Sequence, residues 1–329
     1  MRASAIAHPN VALIKYWGKR ETAANLPAVG SLSVTLGGLK TETTVEFDSS
    51  LSQDILILNG QETPSEQGRL VACLDALRAL ADEPVHARVE SRNDFPTGAG
   101  LASSASGYAA LVKAGAAALG LDSNDAQLLD IARIGSGSAP RSMFGGIVLL
   151  QNDDNGTTCE QLLDPADWPL EVIVAVTTEA GKPVTSRDGM EQSRLTSPYY
   201  QQWIATHAND LDRGLEFVRN RNFSGLAELA EHNCMKMHSV MMTTKPALMY
   251  WSPTTVACMH VIVELRSQGV PVFYTIDAGP QLKAICLPEA AQIVSTALEN
   301  TPGVLRLISG GLGAGAVVVN GPQRVSADA

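Results

Sequence analysis

FPTGAGLASSASGYAAL, Phe95–Leu111, places Gly98, Gly100, Ser103, Ser104 and Ser106 at the entrance of an alanine-rich apolar run. The first N–H groups of a helix have no intrahelical partner, and the aligned peptide dipoles add about half a positive charge there. Gly98 and Gly100 let backbone approach a ligand closely, and the three serines add hydroxyl donors. Such a helix start is a cradle for phosphate. The GK[ST] ending of a Walker A loop is missing. The alternative reading is a small-residue turn leading into a tightly packed helix.

Outward from this stretch the pattern is mixed. TETTVEF (41–47) alternates Thr43, Val45 and Phe47 against Thr44 and Glu46, the period of a half-buried strand. VHARVES (85–91) does the same with Val85, Ala87 and Val89 inward and His86 outward. Between them Leu70, Cys73, Leu74, Leu77 and Leu80 recur at helical spacing and predict a helix over 66–81. Helices are expected from about Leu101 and from Ser123, an N-cap type. GGIVLLQ and LEVIVAVT read as buried strands ending near 178. EAGKPVTSRDG breaks the pattern, so a lobe boundary is placed there: 1–181 as an N-terminal lobe and 182–329 as a C-terminal lobe. Helices are expected over 186–243 and 254–269, and strands at VPVFYTIDAG, LKAICL and AVVV near 317. This order is α+β, without the repetition of βαβ units.

Composition sets outer bounds. The 329 residues are 45% hydrophobic and 18% charged, enough for a large core, and the formal charge is −10. That balance argues against a nucleic-acid scaffold but leaves room for an anionic small substrate in a locally cationic cleft. The cysteines at 73, 159, 234, 258 and 286 form no CxxC pair, the usage expected of free thiols in a reducing cytoplasm. The start MRASAIAHPN has no signal-peptide pattern, and no apolar run reaches membrane-spanning length.

Three further stretches carry candidate chemistry. In NVALIKYWGKR (10–20) alternation puts Lys15 on a face with Val11 and Leu13, and a buried lysine needs a carboxylate partner or loses its charge. Lys19 and Arg20 follow a glycine and are expected on a turn. In GSGSAPRSMFGG (135–146) Arg141 has only small residues and hydroxyls around it, a setting for bidentate capture of carboxylate or phosphate. In FYTIDAGP (273–280) Asp277 ends an apolar strand beside a glycine turn, where sites often lie. Each has a structural alternative: a surface cluster, a distant ion pair, a turn cap. GGLGAGA (310–316) reads as a turn near the cleft. The run Met235, Met237, Met241 and Met242 reads as packing, and His232, His238 and His260 as structural.

Taken together, NVALIKYWGKR, SLSVTL, LNG (58–60), NDFPTGAGLASSASGYAALVKA, GSGSAPRSMFGG, TSRDGM and YTIDAGP resemble the diphosphomevalonate decarboxylase family. That family belongs to the superfamily of galactokinase, homoserine kinase, mevalonate kinase and phosphomevalonate kinase. The resemblance implies a two-lobed α+β fold with a deep cleft. It implies ATP, with Mg²⁺, as co-substrate and mevalonate 5-diphosphate as substrate, giving isopentenyl diphosphate, CO2, ADP and phosphate. By resemblance Asp277 accepts the C3 hydroxyl proton, Lys15 pairs with it, and Arg141 holds the substrate carboxylate with Ser136 and Ser138. Tyr16 and Lys19 meet the diphosphate, while Asn10 and Ser186 line the same pocket. Pro96, Gly98, Gly100, Leu101, Ala102, Ser103, Ser104 and Ser106 hold the nucleotide, with Ser104 near the metal. Relatives are commonly homodimers. Val29-Gly30, Gln281 and Pro140 depart from the usual pattern and bear on pocket shape. A decarboxylase of mevalonate 5-phosphate, a mevalonate 3-kinase and a non-catalytic relative are the competing readings.

Overall fold

The computed structural model describes residues 1–21, 25–64, 67–96, 100–121, 126–153 and 156–323. In chain order its strands are β1 (Arg2–Ala7), β2 (Asn10–Ile14), β3 (Lys19–Glu21), β4 (Leu26–Pro27), β5 (Ser31–Thr35), β6 (Thr41–Phe47), β7 (Ile55–Leu58), β8 (Gln61–Glu62), β9 (Ala87–Asn93), β10 (Ile147–Asp153), β11 (Gly156–Leu163), β12 (Glu171–Val176), β13 (Val272–Ile276), β14 (Leu282–Cys286), β15 (Arg306–Gly311) and β16 (Val317–Gln323). The helices are α1 (Gln67–Ala81), α2 (Ser103–Ala118), α3 (Gln127–Gly135), α4 (Ala139–Ser142), α5 (Ser186–Thr196), α6 (Tyr200–Arg219), α7 (Phe223–Met242), α8 (Pro253–Ser267) and α9 (Ala291–Glu299).

Three sheets organise the chain. One runs β16-β1-β6-β9-β7-β8, a second β11-β10-β5-β2 and a third β13-β14-β12-β15. The expected alternation is visible in β6, where Thr43, Val45 and Phe47 are buried and face α2 and α1. A second core lies between the second and third sheets and joins Val11, Leu32 and Val34 to Val172, Phe273 and Ile285. A third covers the opposite face of the third sheet with α8 and α9. Each fully buried Leu or Ile in these layers contributes about 1.5–3 kcal/mol relative to exposure.

Local signals set several helix starts. Thr185 accepts from the Asp188 N–H and opens α5, and Asn222 accepts from the Gly225 N–H and opens α7. Ser252 and Thr255 form a capping box at α8, with Pro253 at its first position. The Ser123 cap lies outside the described residues. β11, α9 and β15 are additions to the expected elements. Lys19 and Arg20 belong to the short strand β3 rather than to a turn, because Lys19 pairs with Pro27.

A division after residue 181 leaves β12 with the first segment, yet β12 hydrogen-bonds β14 and β15. The chain also returns late to the first sheet, where β16 pairs with β1. The two halves are therefore laced together. Gly37 N–H donates to Gly311, and Gly313 links Thr35 and Gly146, so GGLGAGA is a seam between sheets, part strand and part loop. Among the described residues no helix is long and apolar enough to cross a membrane.

Candidate active site

α7 packs on both β2 and β13, strands of different sheets. Thr275 donates to the Ala12 carbonyl at 3.3 Å, which fixes the two strands side by side. Lys15 and Asp277 each follow the last residue of these strands and emerge together. Lys15 Nζ donates to Asp277 Oδ1 at 2.6 Å. Lys15 is 1% exposed, whereas the Asp277 side chain keeps 23% exposure. Burial alone raises a carboxyl pKa, but the cations Lys15, Lys283 and Arg141 outweigh it and hold Asp277 down at about 2. The result is an ionised carboxylate at the edge of a core.

The backbone beneath this pair is tied to α7. Asn233 Oδ1 accepts the Lys15 N–H at 2.8 Å, and Asn233 donates to Asp210 at 2.7 Å. Cys234 Sγ and His238 Nε2 both reach the Ile276 carbonyl. Burial pulls the His238 imidazole down to about 3, so it is neutral at physiological pH. The alternation expected for β2 is replaced by burial on both faces, and a register shift between Ala12 and Ile14 sets where Lys15 points.

Arg141 lies on α4 and is 4% exposed. Its Nε donates to Asn10 Oδ1 at 3.0 Å and its Nη1 to Ser31 Oγ at 2.6 Å. The guanidinium carbon stands 5.4 Å from the Tyr16 ring centre. These partners are neutral, so the arginine brings a buried positive charge that a bound anion can satisfy. The Asn10 amide is fixed in its turn, because it donates to the Ser138 carbonyl and to Ser142. Asn10 therefore orients Arg141. Hydroxyls link Ser104 to Ser136 at 3.2 Å and Ser136 to Ser138 at 3.1 Å, a chain from the start of α2 to the Arg141 pocket.

Two further lysines have depressed pKa values. Burial, with Arg187 and Arg69 nearby, lowers the Lys19 pKa to about 8. Lys182 Nζ donates to Ser186 Oγ at 2.6 Å and to the Ala278 carbonyl at 2.9 Å. Burial brings Lys182 to about 8 as well, against the pull of Asp277. The sequence reading missed Lys182, Lys283 and these two arginines. Lys283 interrupts the apolar strand LKAIC, the same signal that singled out Lys15. Lys182 lies in a loop and gives no such signal.

At the expected phosphate cradle, α2 begins after Ala102, whose φ is 54° and whose side chain makes no capping bond. Ser104 is exposed there. Ser106 departs from the expected role: it is fully buried and its hydroxyl is bonded to Thr41 at 2.6 Å and the Ser103 carbonyl at 3.3 Å. Leu101 likewise turns its side chain into the core between the sheets. Gly100 has φ 82°, and a Cβ there meets Gly279 Cα at 2.8 Å. Its close approach is thus to the DAGP turn, not only to a ligand. Pro96 lines an open hollow of about 420 Å³ with Asn93, Asp94, Phe95, Glu179 and Arg306. Gly98 lies outside the described residues.

The three departures find local reasons. A side chain at Gly30 meets Leu211 at 2.8 Å, so α6 packs directly on that turn. Gln281 accepts the Thr177 N–H and donates to the Thr178 carbonyl, both at 2.6 Å. Pro140 falls in the first turn of α4, where its missing N–H has no acceptor to serve. Met237 and Met241 are buried packing residues, while Met235 is partly exposed. His232 and His260 are exposed. Among the described residues no group of three or more His, Cys, Asp or Glu is placed to hold a metal.

Comparison with known proteins extends these observations. Residues 7–161 match the family model described as diphosphomevalonate decarboxylase-like N-terminal domain. Residues 172–303 match the mevalonate 5-diphosphate decarboxylase C-terminal domain. The diphosphomevalonate decarboxylase of Ganoderma lucidum is 36% identical over 308 residues, 85% of this chain and 76% of the relative. A solved structure described as MDDEF in complex with MVAPP, AMPPCP and magnesium superposes with a TM-score of 0.89 at 37% identity, covering 97% of this chain and 99% of that one. A second structure concerns mevalonate diphosphate-mediated ATP binding by the mevalonate diphosphate decarboxylase of Enterococcus faecalis. It gives a TM-score of 0.87 at 36% identity, with 97% and 99% covered.

Proposed function

We propose, since the chain belongs to the diphosphomevalonate decarboxylase family, that the cleft around Asp277 carries out the family reaction with the residues described above. The enzyme is an ATP-dependent decarboxylase of mevalonate 5-diphosphate, forming isopentenyl diphosphate, CO2, ADP and phosphate. The observation that carries the assignment of roles is the Lys15–Asp277 pair, its lysine buried and its carboxylate partly open, within the fields of Arg141, Lys283 and Lys182.

Asp277, ionised and fixed by Lys15, takes or orients the proton of the C3 hydroxyl. The C3 oxygen attacks the γ-phosphorus and ADP leaves. The C3–O bond then breaks as the bond to the carboxylate breaks, its electron pair forming the double bond. CO2 and phosphate are released. Arg141, held at Nε and Nη1 by Asn10 and Ser31, orients the carboxylate through its free edge. Ser136 and Ser138 contribute hydroxyls beside it. Lys19 and Tyr16 bind the diphosphate, and Lys182, anchored on Ser186 and Ala278, supplies positive charge where phosphoryl transfer occurs.

The nucleotide phosphates lie over the uncapped start of α2, where Ser104 presents its hydroxyl. Mg²⁺ suits this donor set, because it takes phosphate and hydroxyl oxygens and keeps its waters rather than needing a carboxylate cage. Ser104 would hold it there, and it would supply positive charge to the phosphates. The five unpaired cysteines support a cytoplasmic setting. The deciding experiment is ATP- and Mg²⁺-dependent CO2 release from mevalonate 5-diphosphate and from mevalonate 5-phosphate. Turnover of the diphosphate at much higher kcat/KM is expected. Preference for the monophosphate, or phosphate transfer without CO2, overturns the assignment.

A further inference from the structure

We propose that Lys283 is a positioning residue whose buried ammonium locks the edge of the phosphate loop, at Gly100, to the carboxylate of Asp277. Lys283 belongs to β14, the strand between β13 and β12. Its neighbours Leu282 and Ala284 face the core under α8 and α9, while Ile285 faces the core between the sheets. Alternation along the strand puts Lys283 on the Ile285 side, towards Leu101 and the first lobe. It is 1% exposed, so bulk solvent does not serve as its partner.

It has one hydrogen-bond acceptor and one ion-pair partner. Nζ donates to the Gly100 carbonyl at 2.7 Å and stands 3.8 Å from Asp277 Oδ2. Lys15 takes the other oxygen, Oδ1, at 2.6 Å. The carboxylate is thus held from two sides by cations from different strands, and one of them also grips the loop that leads into α2. The contact between Gly100 and Gly279 closes the same joint through backbone. Burial draws the Lys283 ammonium down to about 8, and Asp277 is the group that opposes this most. The other ionisable groups acting on Asp277 are Lys15, just after β2, and Arg141 from α4; Lys182 from the loop before α5 and Cys234 and His238 from α7 feel its charge in turn.

The consequence for the reaction is geometric. In-line transfer needs the γ-phosphorus and the C3 oxygen in register, and the loop that meets the nucleotide and the acceptor that meets the hydroxyl come from distant parts of the chain. A link from the nucleotide loop to the proton acceptor keeps that register. This inference rests on the reading of Asp277 as the group facing the C3 hydroxyl.

Two variants separate charge from tether. Lys283→Met removes both and fills the space with an apolar chain, which buried sites often tolerate. Lys283→Gln removes the charge but leaves a donor for Gly100. Lys283→Met is expected to lower kcat about tenfold or more and to raise the KM for ATP about fivefold, with the KM for mevalonate 5-diphosphate within about twofold. Lys283→Gln is expected to recover most of the ATP KM while kcat stays low. Rates are taken per folded molecule, measured by circular dichroism. If both variants keep kcat and ATP KM within about twofold per folded molecule, the proposal is overturned. If Lys283→Met does not fold, Lys283→Gln decides: lowered kcat supports the role and unchanged kcat overturns it. A wild-type chain that binds nucleotide but releases no CO2 overturns the reading of the reaction. Nucleotide Kd across the variants then still tests the link to Gly100.

Discussion

Lys15 Nζ and Asp277 Oδ1 meet at 2.6 Å although 262 positions separate them in the chain. Two strand ends, held by one helix, bring them together. The pair is asymmetric, with the lysine enclosed and the aspartate partly exposed. That is the arrangement of an acceptor kept ionised by a partner that does not itself meet the substrate.

Asp277→Asn preserves size and removes the charge. Turnover is expected to fall about 10²–10⁴-fold, the usual contribution of a positioned base, while ATP and mevalonate 5-diphosphate still bind. The stability effect has a definite pH sign. The folded carboxyl is depressed from 3.8 to about 2. Its contribution is therefore full above the unfolded pKa and is lost as pH falls through the folded one. The stability gap between wild type and Asp277→Asn should be flat near neutrality and should close between about pH 4 and pH 2. Urea unfolding across this range, with single-turnover kinetics at neutral pH, checks both parts. Near-normal turnover excludes the role as base.

Much of this site is legible in the sequence, and the failures have physical causes. Lys15 stands out because a lysine on an apolar strand needs a partner. Lys283 carries the same signal in LKAIC, but the partner it shares with Lys15 is visible only once β13 and β14 are paired. Gly100 reads as a point of ligand access, while its nearest constraint is Gly279, a tertiary contact that no local pattern encodes. Ser106 shares its residue type with Ser104, yet two positions along a helix turn it by about 200° into the core. β11 escapes notice because GTTCEQLL is only partly buried and lacks a clear apolar period. β2 misleads in the opposite way, since burial on both faces erases alternation.

Arg141→Lys keeps a positive charge and loses the planar fork. Asn10 and Ser31 hold the guanidinium by two edges at 3.0 and 2.6 Å, so its remaining edge has a fixed direction. A lysine cannot reproduce this. kcat is expected to fall more than about tenfold, or about 1.4 kcal/mol of barrier. The KM for ATP should change little. Asn10→Ala should move kcat in the same direction by freeing Nε. Steady-state kinetics on both variants provide the test, and unchanged kcat in Arg141→Lys assigns the arginine to structure.

Lys19 gives a pH prediction of the opposite sense. Burial first, then Arg187 and Arg69, bring it to about 8. It is charged below that pH and neutral above it. The KM for mevalonate 5-diphosphate should therefore rise as pH passes through about 8, with kcat less affected, because a bound diphosphate stabilises the charged form. Lys19→Met should raise that KM about tenfold at pH 7 and flatten its dependence near pH 8. Lys182, also near 8, remains to give a shallower slope. A Lys19→Met profile that parallels wild type at the same KM separates Lys19 from the diphosphate.

The last prediction separates two serines of the α2 entrance. Ser104 is exposed in the first turn of α2 and bonded to Ser136, the first member of the chain leading to the Arg141 pocket. Ser106 is enclosed and bonded to Thr41, which also donates to Asn93. On the proposed reading, removing the Ser104 hydroxyl takes away a donor where charge redistributes during phosphoryl transfer, and kcat should fall about tenfold or more with little change in stability. Removing the Ser106 hydroxyl leaves Thr41 with one partner fewer in a buried site. That should lower stability by about 1 kcal/mol, with kcat per folded molecule near wild type. Ser104→Ala and Ser106→Ala are to be compared by urea unfolding and by steady-state kinetics on the same preparations. A damaging Ser106→Ala beside a silent Ser104→Ala would move the phosphates off this helix start, since the buried hydroxyl can reach them only if the loop before it rearranges.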